Sequence, residues 1–127
     1  MSSSAVIADQ MFHYHIKGAL NTSTGKQAIR MPFAGKVSFI TAALTATPAG
    51  SSAIFDLHKN GTTMYTNQAN RPTIAAGATS VTASNLPDVL TWAAGDRLSV
   101  EVDQIGSGTA GTNLTLCVSY YGSPATA

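Results

Sequence analysis

The segment "FDLHKNGTTMY", residues Phe55 to Tyr65, carries the signal that decides the fold. Before Asn60-Gly61, apolar and polar residues alternate as they do in a strand with one buried face. After it, Thr62 to Tyr65 is rich in β-branched and aromatic residues, which suit a returning strand. Asn-Gly readily adopts the positive φ angles of a type I′ turn, whose twist matches that of the flanking strands. The segment therefore predicts a β-hairpin with Asn60 and Gly61 at its turn.

The same segment places an aspartate, a histidine, a lysine and an asparagine within five residues, Asp56 to Asn60. Such a cluster could be catalytic, could bind a metal, or could be the polar side of the hairpin. Catalytic pairs need a cleft, and hairpin tips rarely form one. The alternation therefore favours the third interpretation, in which Asp56 and His58 face solvent.

The composition excludes several classes of protein. Only 10% of the 127 residues are charged, the net charge is +1, and the seven basic residues are spread singly along the chain. Nucleic-acid binding needs a clustered basic surface, so no nucleic-acid partner is expected. So few charges protect a monomer poorly against self-association, which favours a permanent assembly with much buried surface.

No feature predicts a membrane partner, secretion or a disulfide. No apolar run approaches the length of a membrane span, and the first ten residues lack the pattern of a signal peptide. Cys117 is the only cysteine, and within a strand-like run it is expected to be a small buried thiol.

Alternation recurs along the chain and predicts an all-β fold. The clearest run is "RLSVEVDQI", in which Leu98, Val100 and Val102 are expected to face the core. About eight short strands with frequent turns indicate an antiparallel β-sandwich of the jelly-roll type. We expect a flexible N-terminal arm (residues 1–10), a head domain (11–122) and a disordered tail (123–127).

Two histidines form the one exposed constellation of interest. In "MFHYHIK", His13 and His15 lie on the same face of a predicted strand, about 7 Å apart by strand rise. Two histidines alone make an incomplete metal site. Three copies meeting on an axis would surround one ion with six imidazoles, whereas the simpler alternative is that both residues lie on the surface or at a subunit contact without metal.

No other motif predicts catalysis or a cofactor. The loop "GSGTAG" (residues 106–111) lacks the following helix that a phosphate-binding loop requires. Glu101 and Asp103 are neighbours on one strand face, which is typical of a solvated edge and not of acids set across a cleft. No serine elbow or nucleophile-histidine arrangement is visible. We therefore expect no enzyme activity, no catalytic residues and no cofactor.

A series of short motifs between Pro32 and Gly122 resembles a β-sandwich domain of tailed-bacteriophage virion proteins. In order, they are Gly-Lys-Val (35–37), Pro-x-Gly (48–50), Asp-x-x-Lys-Asn-Gly (56–61), Arg-Pro-Thr-Ile-x-x-Gly (71–77) and Gly-Asp-x-Leu-x-Val-x-Val-x-Gln-x-Gly (95–106). The resemblance implies a jelly-roll-like homotrimer on a virion, and it brings no catalytic motif.

The resemblance implies a capsid decoration (cement) protein, a head fibre or the tip of a tail fibre. We place first a decoration protein on the capsid surface, bound to the major capsid protein. A tail-fibre or receptor-binding head ranks second, and a sugar-binding module or an enzyme ranks a distant third. A decoration protein needs only a compact head and an arm, and the apolar segment Ala5-Val6-Ile7 of this arm could dock in a capsid groove. The absence of a long shaft favours decoration.

Overall fold

The computed structural model describes residues 10–22, 27–83 and 85–123. Within these ranges the chain forms ten β-strands and a single turn of 3-10 helix at Gln68–Asn70. The strands are β1 (Gln10–Ala19), β2 (Gln27–Arg30), β3 (Ala34–Ala43), β4 (Ala53–Lys59), β5 (Thr62–Thr63), β6 (Thr73–Ile74), β7 (Ser80–Ala83), β8 (Thr91–Trp92), β9 (Arg97–Gln104) and β10 (Thr112–Ser123).

The strands form two antiparallel sheets, which confirms the predicted sandwich. The first sheet has the order β1-β10-β3-β7, with β8 also on β3, and the second has the order β2-β9-β4-β5, with β6 also on β4. The short strands β5 and β6 both pair with β4, and β7 and β8 both pair with β3, so each of these two couples occupies a single strand position. Counted in this way, the ten strands occupy eight positions in two four-stranded sheets, which is the jelly-roll arrangement.

The alternating segments bury the residues that their period predicts. Leu98, Val100 and Val102 of β9 are at most 3% exposed. In β10 the buried positions Leu114 and Leu116 alternate with half-buried residues in the same way. Facing positions of the two sheets thus supply the hydrophobic core between them.

Four aromatic side chains pack together in one part of this core. The rings of Phe12, Tyr14, Trp92 and Tyr120 pack with neighbouring centroids 5.2–6.0 Å apart. A Cβ atom at Gly35 would lie only 2.4 Å from the Trp92 ring, so this glycine in β3 allows the indole to lie against the sheet. The Trp92 Nε1 donates a hydrogen bond to the Phe33 carbonyl at 2.9 Å.

Two of the expected segment boundaries shift by one residue. Gln10 belongs to β1 and not to an arm, because it pairs with Tyr120 and accepts a hydrogen bond from the Tyr120 hydroxyl at 3.0 Å. Ser123 is the last residue of β10 and not the first of a tail. The patch Ala5-Val6-Ile7 lies outside the described residues. No helix in the described ranges is long and apolar enough to span a bilayer.

Candidate functional site

The expectation that Asp56 faces solvent is wrong. Its side chain points to the outer face of the second sheet, yet the residue is only 2% exposed. The carboxylate accepts hydrogen bonds from the backbone amide of Leu57 at 2.7 Å and from the Thr63 hydroxyl at 2.8 Å. The Nε2 of His58 lies 3.3 Å from the Asp56 Oδ2, and the histidine side chain is 24% exposed.

The loop of residues 64–72 packs beside this carboxylate and is held there by side chains. The Gln68 amide donates to the Tyr65 carbonyl at 2.8 Å and to the Asp56 Oδ2 at 3.3 Å. Arg71 donates through Nε to the Gln68 carbonyl at 2.8 Å and forms an ion pair with Asp103 at 2.7 Å. No local pattern in the sequence marks Gln68 or Arg71 as site residues, although Arg71 begins one of the motifs of the resemblance.

A second group of hydrogen bonds lies at the hairpin turn. Asn60 and Gly61 have φ angles of 52° and 87°, and Lys59 pairs with Thr62 across a two-residue loop. The Asn60 side chain donates to the Asp96 carboxylate at 3.0 Å and accepts from the Arg97 amide at 2.9 Å. Three motifs that are separate in sequence therefore meet on the second sheet, where their polar residues fix turns and a loop.

An open pocket of about 490 Å³ lies beside Asp56 on the outer face of the second sheet. The described residues that line it are all polar, namely Asp56, His58, Thr63, Thr66, Gln68, Arg71 and Asp103. The Thr66 hydroxyl is held by the Asp88 carboxylate at 2.6 Å. That bond, with a second one from the Asn67 amide, lowers the pKa of Asp88.

The geometry offers little for catalysis. In the described part of the chain, no hydroxyl or thiol forms a hydrogen bond with His58, so the Asp56–His58 pair has no nucleophile to activate. Tyr65, in the loop of residues 64–72, is fully buried, and its hydroxyl has no partner among the described residues. Burial, with the negative charge of Asp56, raises the pKa of Tyr65, so its phenol stays protonated at neutral pH.

The outer face of the first sheet has a different character. The described strands of this sheet contain no acidic residue, and their only lysines are Lys17 and Lys36. Met11, Phe39 and Tyr121 are 60%, 43% and 45% exposed. We call these three residues the apolar patch.

The strand register brings the apolar patch together. Met11 and Phe39 flank Ser119 of β10 from either side, and Tyr121 follows two residues further along β10. Ser119 is only 7% exposed between its neighbours. Cys117, two residues before Ser119 on β10, is half-buried on this outer face and is not the fully buried thiol that was expected.

His13 and His15 lie on the outer face of β1, where the alternation places them. His13 is opposite Cys117, and the His15 Nδ1 lies 3.2 Å from the Thr115 hydroxyl. Among the described residues, no group of three or more histidine, cysteine or acidic side chains could hold a metal ion within one chain. A metal shared between copies on an axis stays a prediction.

The glycine-rich loop of residues 106–111 packs against the chain near Ala49. The Gly108 amide donates to the Ala49 carbonyl at 2.8 Å, and the Ala49 amide donates to the Thr109 carbonyl at 2.9 Å. A Cβ atom at Gly106 would lie 1.9 Å from the Thr109 carbonyl oxygen, so the close approach requires glycine there. The loop is a hydrogen-bonded connection between β9 and β10.

Comparison with known proteins shows similarity at the level of structure. No family model and no curated protein sequence matches the chain. A chain in the solved structure of the cyanophage Pam1 capsid asymmetric unit is similar, with a TM-score of 0.50 and 16% sequence identity. The match covers 91% of this chain and 84% of that chain. The two chains therefore share a β-sandwich fold over most of their length.

Proposed function

We propose that this chain is a structural protein of a tailed-phage virion, most specifically a homotrimeric decoration protein on the capsid surface. The observation that carries the proposal is the fold, which matches a chain of a phage capsid structure over 91% of this chain. The motif series along residues 32–122 supports the same assignment. We propose a non-catalytic role, because the described residues offer the Asp56–His58 pair no nucleophile to activate.

The outer face of the first sheet is the surface that suits contact between subunits. The three exposed side chains of the apolar patch lie on strands without acidic residues, and exposed apolar clusters of this kind often mark interaction sites. Sheet faces related by a rotation axis can close into a trimer. The expected result of light scattering on the purified protein is about three chains per particle.

Two variants test the location of this contact. Phe39→Glu places a charge in the apolar patch and should dissociate the trimer, whereas Thr73→Glu, at an exposed position of the second sheet, should leave it intact. Cys117 provides a second readout, because a maleimide should label it more slowly in the trimer than in the Phe39→Glu variant. A monomeric wild-type chain, or a Phe39→Glu variant that stays trimeric with a protected Cys117, would exclude this face.

We propose that the residues before β1 attach the chain to the capsid. Many weak contacts repeated over a lattice give strong attachment, and a short segment that orders on binding can supply them. Removing Ser2 to Asp9, while keeping Gln10 in β1, should weaken co-pelleting with undecorated capsids by an order of magnitude or more. Replacing Val6 and Ile7 with serine keeps the length of this segment and tests the contribution of its two large apolar side chains alone. Undiminished pelleting of both variants would assign the capsid contact to the head domain.

The alternative is a tail-fibre or receptor-binding head, and the polar pocket on the second sheet is the observation that favours it. Copy number on purified virions separates the two roles. Labelled copies spread over the whole shell identify a decoration protein, whereas a few copies at the tail identify a receptor-binding head.

A further inference from the structure

The polar pocket on the second sheet has the properties of a preformed ligand site. Its walls come from β4, β5, β9 and the loop of residues 64–72, so they are tied to the most strongly paired part of that sheet. Hydrogen bonds within the chain fix the Thr63 hydroxyl, the Gln68 amide and the Arg71 guanidinium before any ligand arrives. Fixed side chains lose little conformational freedom on binding, which favours affinity.

Several polar atoms of the pocket keep unused hydrogen-bonding capacity. The ion pair uses Oδ2 of Asp103 and leaves Oδ1 without a protein partner in the described part of the chain. The contact of His58 with Asp56 uses Nε2 and leaves Nδ1. The Gln68 Oε1 and the second terminal nitrogen of Arg71 are likewise without partners among the described residues.

These free groups define the chemistry of a ligand. They combine three acceptors with the guanidinium as donor, and a hydroxyl group both donates and accepts. Two carboxylates against one guanidinium disfavour an anion, and no described set of three ligating side chains would hold a metal. Every described lining residue carries a polar group, which does not suit a wholly apolar ligand. A volume of about 490 Å³ lies in the range of known small-ligand sites.

We propose that this pocket binds a neutral polyhydroxylated ligand, a pyranose unit of a glycan. Asp103 and His58 accept hydrogen bonds from ring hydroxyls, and Arg71 donates to a ring or hydroxyl oxygen. The site faces outward on the second sheet, away from the apolar patch on the first sheet. Binding is therefore compatible with the proposed trimer and with either position on the virion.

The test is saturation-transfer NMR on the isolated protein with methyl pyranosides of glucose, galactose, mannose and N-acetylglucosamine, at about 10 mM to suit a Kd near 1 mM. At least one glycoside should receive saturation, and anionic glucose 6-phosphate should bind more weakly. Asp103→Asn and His58→Phe should each weaken binding about fivefold or more, as expected for one lost hydrogen bond. Glu101→Gln is the matched control, because this residue lies two positions from Asp103 on β9 and does not line the pocket.

Three outcomes would overturn the proposal, with thermal melting confirming that each variant is folded. The first is that no glycoside receives saturation from the wild-type protein. The second is that Glu101→Gln weakens binding as much as Asp103→Asn. The third is that binding survives both pocket variants unchanged. Because the assay uses isolated protein, its result does not depend on where the chain sits on the virion.

Discussion

Replacing Asp56 with alanine tests whether the buried carboxylate holds the loop of residues 64–72 on the second sheet. In the folded chain this carboxylate accepts hydrogen bonds from the Leu57 amide, the Thr63 hydroxyl and the Gln68 amide at 2.7, 2.8 and 3.3 Å. The substitution removes all three acceptor contacts at once. It leaves the strand pairing of β4 with β9 in place.

The magnitude follows from what each donor loses. Thr63 and Gln68 retain an alternative acceptor, the Tyr65 carbonyl at 3.3 and 2.8 Å. The Leu57 amide loses its side-chain partner, and an unsatisfied buried donor costs about 1–3 kcal/mol. Loss of hydrogen bonds to a charged acceptor adds about 1–2 kcal/mol, part of which is offset because a buried charge is removed. We expect the free energy of unfolding to fall by about 2–4 kcal/mol, out of the ~5–15 kcal/mol of an ordinary domain.

Urea unfolding at a fixed protein concentration measures this loss. Glu101→Ala is the matched control, because Glu101 pairs directly with Asp56 across β4 and β9 but accepts none of these hydrogen bonds. The control should change the free energy of unfolding by about 0.5 kcal/mol or less. If Asp56→Ala costs no more than Glu101→Ala, the carboxylate does not hold the loop and the reasoning is refuted.

Three further predictions concern turns, acid stability and packing. Gly61→Val should lower the free energy of unfolding by at least about 1 kcal/mol, because its φ of 87° opposes a β-branched residue although no atom lies near its Cβ position; an unchanged urea midpoint would contradict this. Hydrogen bonds lower the pKa of Asp88 and Asp96 below 3.8 in the folded chain, so the stability that these carboxylates contribute is complete above that pH and is lost as the pH falls through the folded pKa. The urea midpoint should therefore drop between pH 5 and pH 2.5. The drop should be smaller in Asp88→Asn than in the wild-type protein. Gly35→Ala should displace Trp92 and shift its fluorescence emission to longer wavelength, whereas Gly108→Ala, whose added Cβ would approach no atom closer than 3.5 Å, should leave the emission unchanged.

The parts of the fold that the sequence predicts are those governed by local period and turn chemistry. Alternation in β9 identifies its buried face because side chains on successive residues point to opposite sides. The Asn60-Gly61 turn is readable because few residue pairs accept positive φ at both positions. Pairing partners such as β1 with β10 lie about a hundred residues apart, and no local signal specifies them.

The candidate site escapes local prediction for the same physical reason. The period places Asp56 on the outer face of β4, which is where its side chain points. What buries it is the loop that carries Gln68, and that loop has no periodic pattern of its own. The ion pair of Arg71 with Asp103 links residues 32 positions apart and depends on how the loop returns to β9.

The hydrogen bonds of the Asn60 side chain with Asp96 and Arg97 have a chemical consequence for the ageing of the protein. In a flexible Asn-Gly sequence, the glycine nitrogen attacks the asparagine side-chain carbon, ammonia leaves, and the resulting succinimide opens to aspartate or isoaspartate. Here the Asn60 carboxamide is held by the Asp96 carboxylate at 3.0 Å and by the Arg97 amide at 2.9 Å, which restrains it from adopting the geometry of that attack. Folded chains should therefore retain the amide while unfolded chains lose it. The deamidated fraction at Asn60 would then record how long a population of chains has spent unfolded.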